Sequence, residues 1–161
     1  MIELIRNKIQ TSHAASGTIA GWRLAGGKVV FTNGCFDLMH PGHLNYLAQA
    51  RALGQHLVIG LNTDASVQRL KGEHRPIMDQ DARALLLASL AFVDLVILFG
   101  EDTPLDLIQL LRPDVLVKGA DYKEEDVVGA REVKYWGGEV ALLPFVEGYS
   151  TSAIEAKIKS S

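Results

Sequence analysis

Two histidines three residues apart, His40 and His43, flank Pro41-Gly42 in the string VVFTNGCFDLMHPGHLNYL from Val29 to Leu47. Positions three apart at a helix start share a face, so both imidazoles can point at one ligand, and Gly42 lets that ligand approach the backbone. Upstream, Val29, Val30 and Phe31 favour a strand and Thr32, Asn33 and Gly34 a small-residue turn; downstream, Leu44, Leu47 and Ala48 recur at helical spacing. At such a strand-to-helix junction the first helical N–H groups have no internal partner and the helix dipole is positive, which makes the turn an anion site. The plainer alternative is an ordinary Pro-Gly turn carrying two exposed histidines.

Other chemistry-bearing residues gather where further strands should end. Asn62, Thr63 and Asp64 follow the apolar run HLVIGLN, and ligands of open α/β sheets sit beyond the carboxyl ends of strands. Lys71 and Arg75 come next, with Gly72 between them and Pro76 after, and read as a mobile loop over residues 66–78 able to bend over a polyphosphate; Arg69 reads as a solvated surface residue. Lys118, Gly119 and Asp121 end another apolar run and can offer backbone groups and a carboxylate to a base or ribose, although Asp121 serves equally as a helix cap. Ser150, Thr151 and Ser152 open the last helix, as capping hydroxyls or as phosphate donors. Cys35 reads as a small apolar filler, since no partner for a Cys-His nucleophile is evident.

The elements that must hold these groups follow from periodicity. Strands are expected at 28–33, 56–62, 93–99, 115–118 and 138–144, and helices at 43–53, 82–91, 103–111, 124–133 and through Ile154 and Ile158. Asp79 should cap the 82–91 helix, in which Arg83 lies near the open end. Alternation of strand and helix predicts an α/β fold, a doubly wound, Rossmann-like, five-stranded parallel sheet of order 3-2-1-4-5. Before it, Ile2, Ile5 and Ile9 predict a short amphipathic helix over 2–11, and Ser16 or Thr18 a cap for a second helix ending at Gly26-Gly27. Residues 1–27 are thus expected to be a helical extension covering a sheet edge or contacting another subunit, and residues 28–161 the catalytic-type domain.

Composition narrows the classes. The 161 residues suit one ordinary domain, 48% hydrophobic and 22% charged, as in soluble globular proteins. A net charge of −3 without a block of Lys and Arg argues against nucleic acid as a partner. A single cysteine rules out an internal disulfide and suits a reducing, cytoplasmic compartment. The charged N-terminus MIELIRNKIQ is not a signal peptide, and no apolar window reaches the ~18 residues of a membrane span. The chain lacks G-x-G-x-x-G and G-x-x-x-x-G-K-[ST], against a dinucleotide redox enzyme and a P-loop kinase.

The string G-x-F-D-x-x-H-x-G-H, built from Gly34, Phe36, Asp37, His40, Gly42 and His43, resembles the signature of the cytidylyltransferase-like nucleotidyltransferases. NTDASVQRLKG, RPDVLVKGADY and LLPFVEGYSTSAI extend the resemblance from Lys28 to Lys159 and are most similar to the heptose-1-phosphate adenylyltransferases of that superfamily, which are usually fused to a sugar kinase. The resemblance implies transfer of adenylyl from ATP to D-glycero-β-D-manno-heptose 1-phosphate, giving ADP-heptose and pyrophosphate for lipopolysaccharide core synthesis, with Mg²⁺ as cofactor. It implies that His40 and His43 bind the triphosphate and stabilise the attacked α-phosphate, and that Gly34, Cys35, Phe36 and Asp37 line the nucleotide pocket; Lys71 is expected to be catalytic beside them, and Asn33 and Gly42 to line the same pocket. Asn62, Asp64, Arg75, Lys118, Gly119 and Asp121 are expected beside the nucleotide, Ser150, Thr151 and Ser152 on its β- and γ-phosphates, and Asp37 as the nearest carboxylate for the metal. No kinase domain is present in the chain, so a separate heptose kinase is the expected upstream partner, and a homo-oligomer is compatible. Phe145 stands where cytidylyltransferases of the group carry an Arg, which disfavours CTP. Alternatives are a glycerol-3-phosphate-type cytidylyltransferase and a nucleotide-binding module without turnover.

Overall fold

The computed structural model describes residues 1–161. Helices α1 (Ile2–Arg6) and α2 (Ser12–Leu24) precede β1 (Val29–Gly34), α3 (Pro41–Arg51), β2 (His56–Asn62), α4 (Asp64–Lys71) and α5 (Gln80–Ser89). The chain continues through β3 (Leu95–Phe99), α6 (Leu105–Leu111), β4 (Val115–Gly119), a 3₁₀ turn (Glu124–Asp126), α7 (Ala130–Tyr135), β5 (Glu139–Leu143) and α8 (Thr151–Lys159). The strands form one sheet of order β3-β2-β1-β4-β5, all pairings parallel, as the alternation of elements predicts.

Side chains alternate along each strand, so successive residues feed two cores. Val29 and Phe31 of β1 join Ala15 and Ile19 of α2, Ile108 and Leu111 of α6 and Val133 of α7 on one face. Val30 faces the other way, with Leu47 and Ala50 of α3 and Ala84, Leu87 and Ala88 of α5. Sheet order 3-2-1-4-5 reverses direction between β1 and β4, and the carboxyl ends of those two strands open the crevice where such sheets bind ligands.

Several boundaries differ from the sequence reading for identifiable reasons. Thr11, not Ser16 or Thr18, caps α2 by accepting from the Ala14 N–H at 3.2 Å, which starts the helix earlier. The first helix stops at Arg6, because residues 8–10 instead run along the sheet edge: Val96 N–H donates to the Lys8 carbonyl and Gln10 N–H to that of Val96. The expected helix 124–133 is split at Gly129, whose φ of +87° breaks helical geometry. Asp121 does not cap it; Lys123 precedes the 3₁₀ turn.

Candidate active site

His40 is the N-cap residue of α3, with φ −142°, and Pro41 takes the first helical position, where its missing N–H costs nothing. The imidazoles of His40 and His43 lie face to face, centroids 3.8 Å apart and planes 24° from parallel. Phe36, held at φ +47°, turns the chain out of β1 and sets its ring edge-on to His43, centroids 5.4 Å apart. A left-handed non-glycine residue is locally strained, and here the strain lies directly beside the histidine pair. Gly42 leaves room for the His40 ring as placed: a Cβ there would come within 2.8 Å of His40 Cε1 and 3.4 Å of Tyr149 Cβ, so the imidazole would have to shift.

Burial pushes the His43 imidazole down to about 4, with His40 and Lys71 adding electrostatic pressure in the same direction, and burial also lowers His40. Both are therefore neutral near pH 7 in the free protein. Their Nδ1 atoms are buried without a protein partner. Such a pair is prepared to meet an anion, because negative charge arriving at the rings restores the proton that burial removes.

A cavity of about 430 Å³ opens in front of the histidines. Asn33, Gly34, Cys35, Phe36 and Gly42 line it, with Lys71 on one side, Lys118 and Gly119 on another and Ser150 and Thr151 across the mouth. Two helix N-termini, those of α3 and α8, thus face one space. Ser150 caps α8 by accepting from the Ala153 N–H at 3.0 Å, which leaves the first-turn N–H groups of Thr151 and Ser152 without intrahelical partners. Burial lowers the Lys118 ammonium, although Asp121 opposes the shift, and burial raises the Cys35 thiol. Asn33 keeps a buried, unpartnered Oδ1 in the wall.

Other predicted residues lie outside the cavity and are engaged elsewhere. Asn62 donates to Ser66 Oγ at 2.8 Å, and Asp64 accepts from Arg83 Nη2 at 2.7 Å. Asp121 and Ser152 are exposed. The expected loop over 66–78 is helical as far as Lys71, with Ser66 and Val67 buried, and becomes irregular only after Gly72 at φ +102°. Arg69 lies on the surface and pairs with Asp102 at 3.0 Å, as its reading as a solvated residue has it. Arg75 is not free to bend over a ligand: Nε donates to Asp37 Oδ2 at 2.6 Å and Nη1 to Glu155 Oε2 at 3.2 Å.

That arrangement also bears on the metal. Asp37 lines the cavity but is 2% exposed, and its carboxylate accepts from Ile77 N–H at 2.8 Å, Met78 N–H at 2.9 Å and Arg75. Burial favours its neutral form, but those donors outweigh burial and hold the carboxyl below its ordinary range. Both oxygens being committed, Asp37 does not fit as a direct Mg²⁺ ligand. No other carboxylate lines the cavity, and no three His, Cys, Asp or Glu side chains cluster to hold a cation.

Sequence reasoning missed three kinds of residue. Tyr122 and Tyr149 bring rings to the mouth beside Phe145, Tyr149 lying 14° from parallel with His40 at 6.3 Å. Tyr46 stands in the back wall, its hydroxyl 2.8 Å from Thr32 Oγ1, and burial pushes the phenol up to about 12. Arg83 is 1% exposed and knits the floor together, donating to the carbonyls of Met78, Cys35 and Asn62 at 2.8–2.9 Å. Its position four before Leu87 on the buried stripe of α5 was the available signal.

Comparison with known proteins agrees with this geometry. The sequence model of the Cytidylyltransferase-like family matches residues 31–161. The "Bifunctional protein HldE" of Magnetococcus marinus is 58% identical over 154 residues, 96% of this chain and 32% of that protein. The protein of the same name from Campylobacter concisus is 62% identical over 134 residues, 83% of this chain and 28% of that one. This chain therefore spans about a third of the length of the curated relatives it matches. A lipopolysaccharide core biosynthesis protein from Thermoplasma volcanium superposes with a TM-score of 0.62 at 29% identity, covering 78% of this chain and all of that one. The pantoate-beta-alanine ligase of Francisella tularensis, 13% identical with a TM-score of 0.60 over 94% of this chain and 76% of its own, shares the fold. With its signature histidines at the mouth of a helix, in the crevice of a 3-2-1-4-5 sheet, the chain belongs to the cytidylyltransferase-like family and is a nucleotidyltransferase.

Proposed function

We propose that the chain transfers the adenylyl group of ATP to D-glycero-β-D-manno-heptose 1-phosphate, releasing ADP-heptose and pyrophosphate on the way to lipopolysaccharide core sugar. The observation that carries this reading is the convergence of the His40–His43 pair, Lys71, Lys118 and two helix N-termini on one cavity. An oxygen of the sugar phosphate attacks the α-phosphorus, and the bond from that phosphorus to the α,β-bridging oxygen breaks, its electron pair leaving with pyrophosphate. The nucleophile is already an anion, so the protein's work is alignment and neutralisation of charge. His40 and His43 donate hydrogen bonds to the α-phosphate as charge develops, the open N–H groups of α8 hold the β- and γ-phosphates, and Lys71 meets the departing pyrophosphate. Mg²⁺ entering with ATP would neutralise charge on the phosphates, and Asp37, with both oxygens committed, does not fit to hold it.

The choice of ATP and heptose draws on the sequence resemblance to the heptose-1-phosphate adenylyltransferases and on Phe145, which lines the cavity where a cytidylyltransferase of the group has a cation; the lipopolysaccharide destination draws also on the description of the Thermoplasma volcanium protein. The word "bifunctional" in the HldE names, and the third of their length matched here, fit a second activity in the rest of those proteins; the resemblance to adenylyltransferases fused to a sugar kinase makes that a kinase supplying the sugar 1-phosphate. No helix is long and apolar enough to cross a membrane. Pyrophosphate release, measured with ATP or CTP against a panel of sugar phosphates, tests the reading. Release with ATP and the heptose 1-phosphate is expected. Equal or faster release with CTP rejects adenylyl transfer in favour of a glycerol-phosphate-type cytidylyltransferase, and nucleotide binding without release from any pair favours a binding module.

A further inference from the structure

Helix α8 carries the N–H groups and hydroxyls that close the cavity, yet none of its residues is buried. Apolar packing therefore does little to fix where its N-terminus points. The polar tie is better defined. Glu155, four residues after Thr151 and so about 6 Å down the axis, accepts from Arg75 Nη1 at 3.2 Å. Arg75 in turn donates through Nε to Asp37 at 2.6 Å, and Asp37 grips the Ile77 and Met78 N–H groups of the same loop. The Arg75 side chain is 13% exposed and that of Asp37 1%, so the loop end of the tie is sheltered from solvent, while Glu155 at 30% is reachable by substitution. A planar fork can bridge two carboxylates at fixed geometry, which a flexible ammonium does not.

We propose that Arg75 and Glu155 are positioning residues: they form a strut from the loop clamped by Asp37 to α8, holding the helix N-terminus where it meets the triphosphate. The inference rests on the reading of that N-terminus as the phosphate site, and it gives Arg75 a role at a distance from the nucleotide. The strut joins the strand exit that leads to His40 with the helix that faces it, so the two anion-binding termini share one anchor.

Glu155→Ala is the decisive variant, because it leaves the Arg75–Asp37 pair intact and strands no buried carboxylate. Glu155 also pairs with Lys159 at 2.7 Å within the helix, so Lys159→Ala serves as the control for lost helix propensity. In the protein without nucleotide, Glu155→Ala should speed amide exchange in residues 153–159 and leave the sheet unchanged, with thermal midpoint held. With ATP, its KM should rise about 5- to 20-fold while kcat falls by a smaller factor, Glu155→Gln should recover part of the loss, and Lys159→Ala should stay near wild type. Unchanged exchange and KM in Glu155→Ala, or an equal effect from Lys159→Ala, overturns the strut. Because the exchange arm needs no turnover, an inactive wild-type protein would sink the proposed reaction while the strut is still decided.

Discussion

His43 combines two properties that usually conflict: a ring set against Phe36 and His40, and a place on the wall of a polar cavity. His40 stacked on it and Phe36 edge-on to it fix the ring, and burial keeps it neutral until an anion arrives. A donor fixed in this way contributes most when charge peaks in the transition state, so His43→Ala should lower kcat about 10²–10³-fold while ATP binding, followed by calorimetry, changes little. A near-normal kcat would return His40-Pro41-Gly42-His43 to the status of a turn. The same burial gives stability a pH dependence. The folded-state value of about 4 lies below the ordinary 6.5, so between those limits the unfolded chain takes up a proton that the native site refuses. The contribution is complete above pH 6.5 and is lost as pH falls toward 4. Urea midpoints of wild type and His43→Asn at pH 7, 6 and 5 should therefore converge in that window, and a pH-independent gap between them would contradict the assignment.

Among the elements, α4 shows what sequence alone could and could not deliver. The basic stretch after β2 and its place at the ligand end were legible, since strand order and the polar turn follow from pattern. Whether each cation faces the cavity was not, because that depends on helical phase and on distant partners. Lys71 and Arg69 sit two apart on one helix, about 200° around its axis, and only Lys71 reaches the cavity while Arg69 meets Asp102. The contacts of Arg75 were illegible for the same reason, its partners being 38 and 80 residues away. Lys71→Ala should accordingly cut turnover at least tenfold, the effect of about 1.4 kcal/mol, and Arg69→Ala should stay within about twofold, an exposed pair being worth little. Hydrogen exchange without nucleotide should find residues 66–71 already protected and the segment after Gly72 faster. Equal losses from the two alanine variants would remove Lys71 from the site.

For the molecule as a whole, the sheet and its two cores were readable because apolar runs of strand length are separated by helical periods, but the standing of residues 1–27 was not. The apolar stripes of the first helices do not say what they pack against, because their pairing with the sheet is non-local in sequence. In the folded chain, residues 8–10 run beside edge strand β3 with Ile9 bridged to Val96, which covers backbone groups that an open edge would leave free. Farther on, Ala15 and Ile19 of α2 are fully buried with Val29, Phe31 and Ile97. A side chain at 0% exposure within the main core should respond to truncation as a core residue does, not as part of an appendage. Ile19→Ala is therefore expected to cost about 2–5 kcal/mol in urea unfolding, as a single transition with no change in slope. Because Ile19 lies outside the cavity lining, the KM for ATP at a temperature where the variant is folded should match wild type. A loss below about 1 kcal/mol, or a separate early transition confined to the N-terminal helices, would show that α1 and α2 dock on a domain that is stable without them.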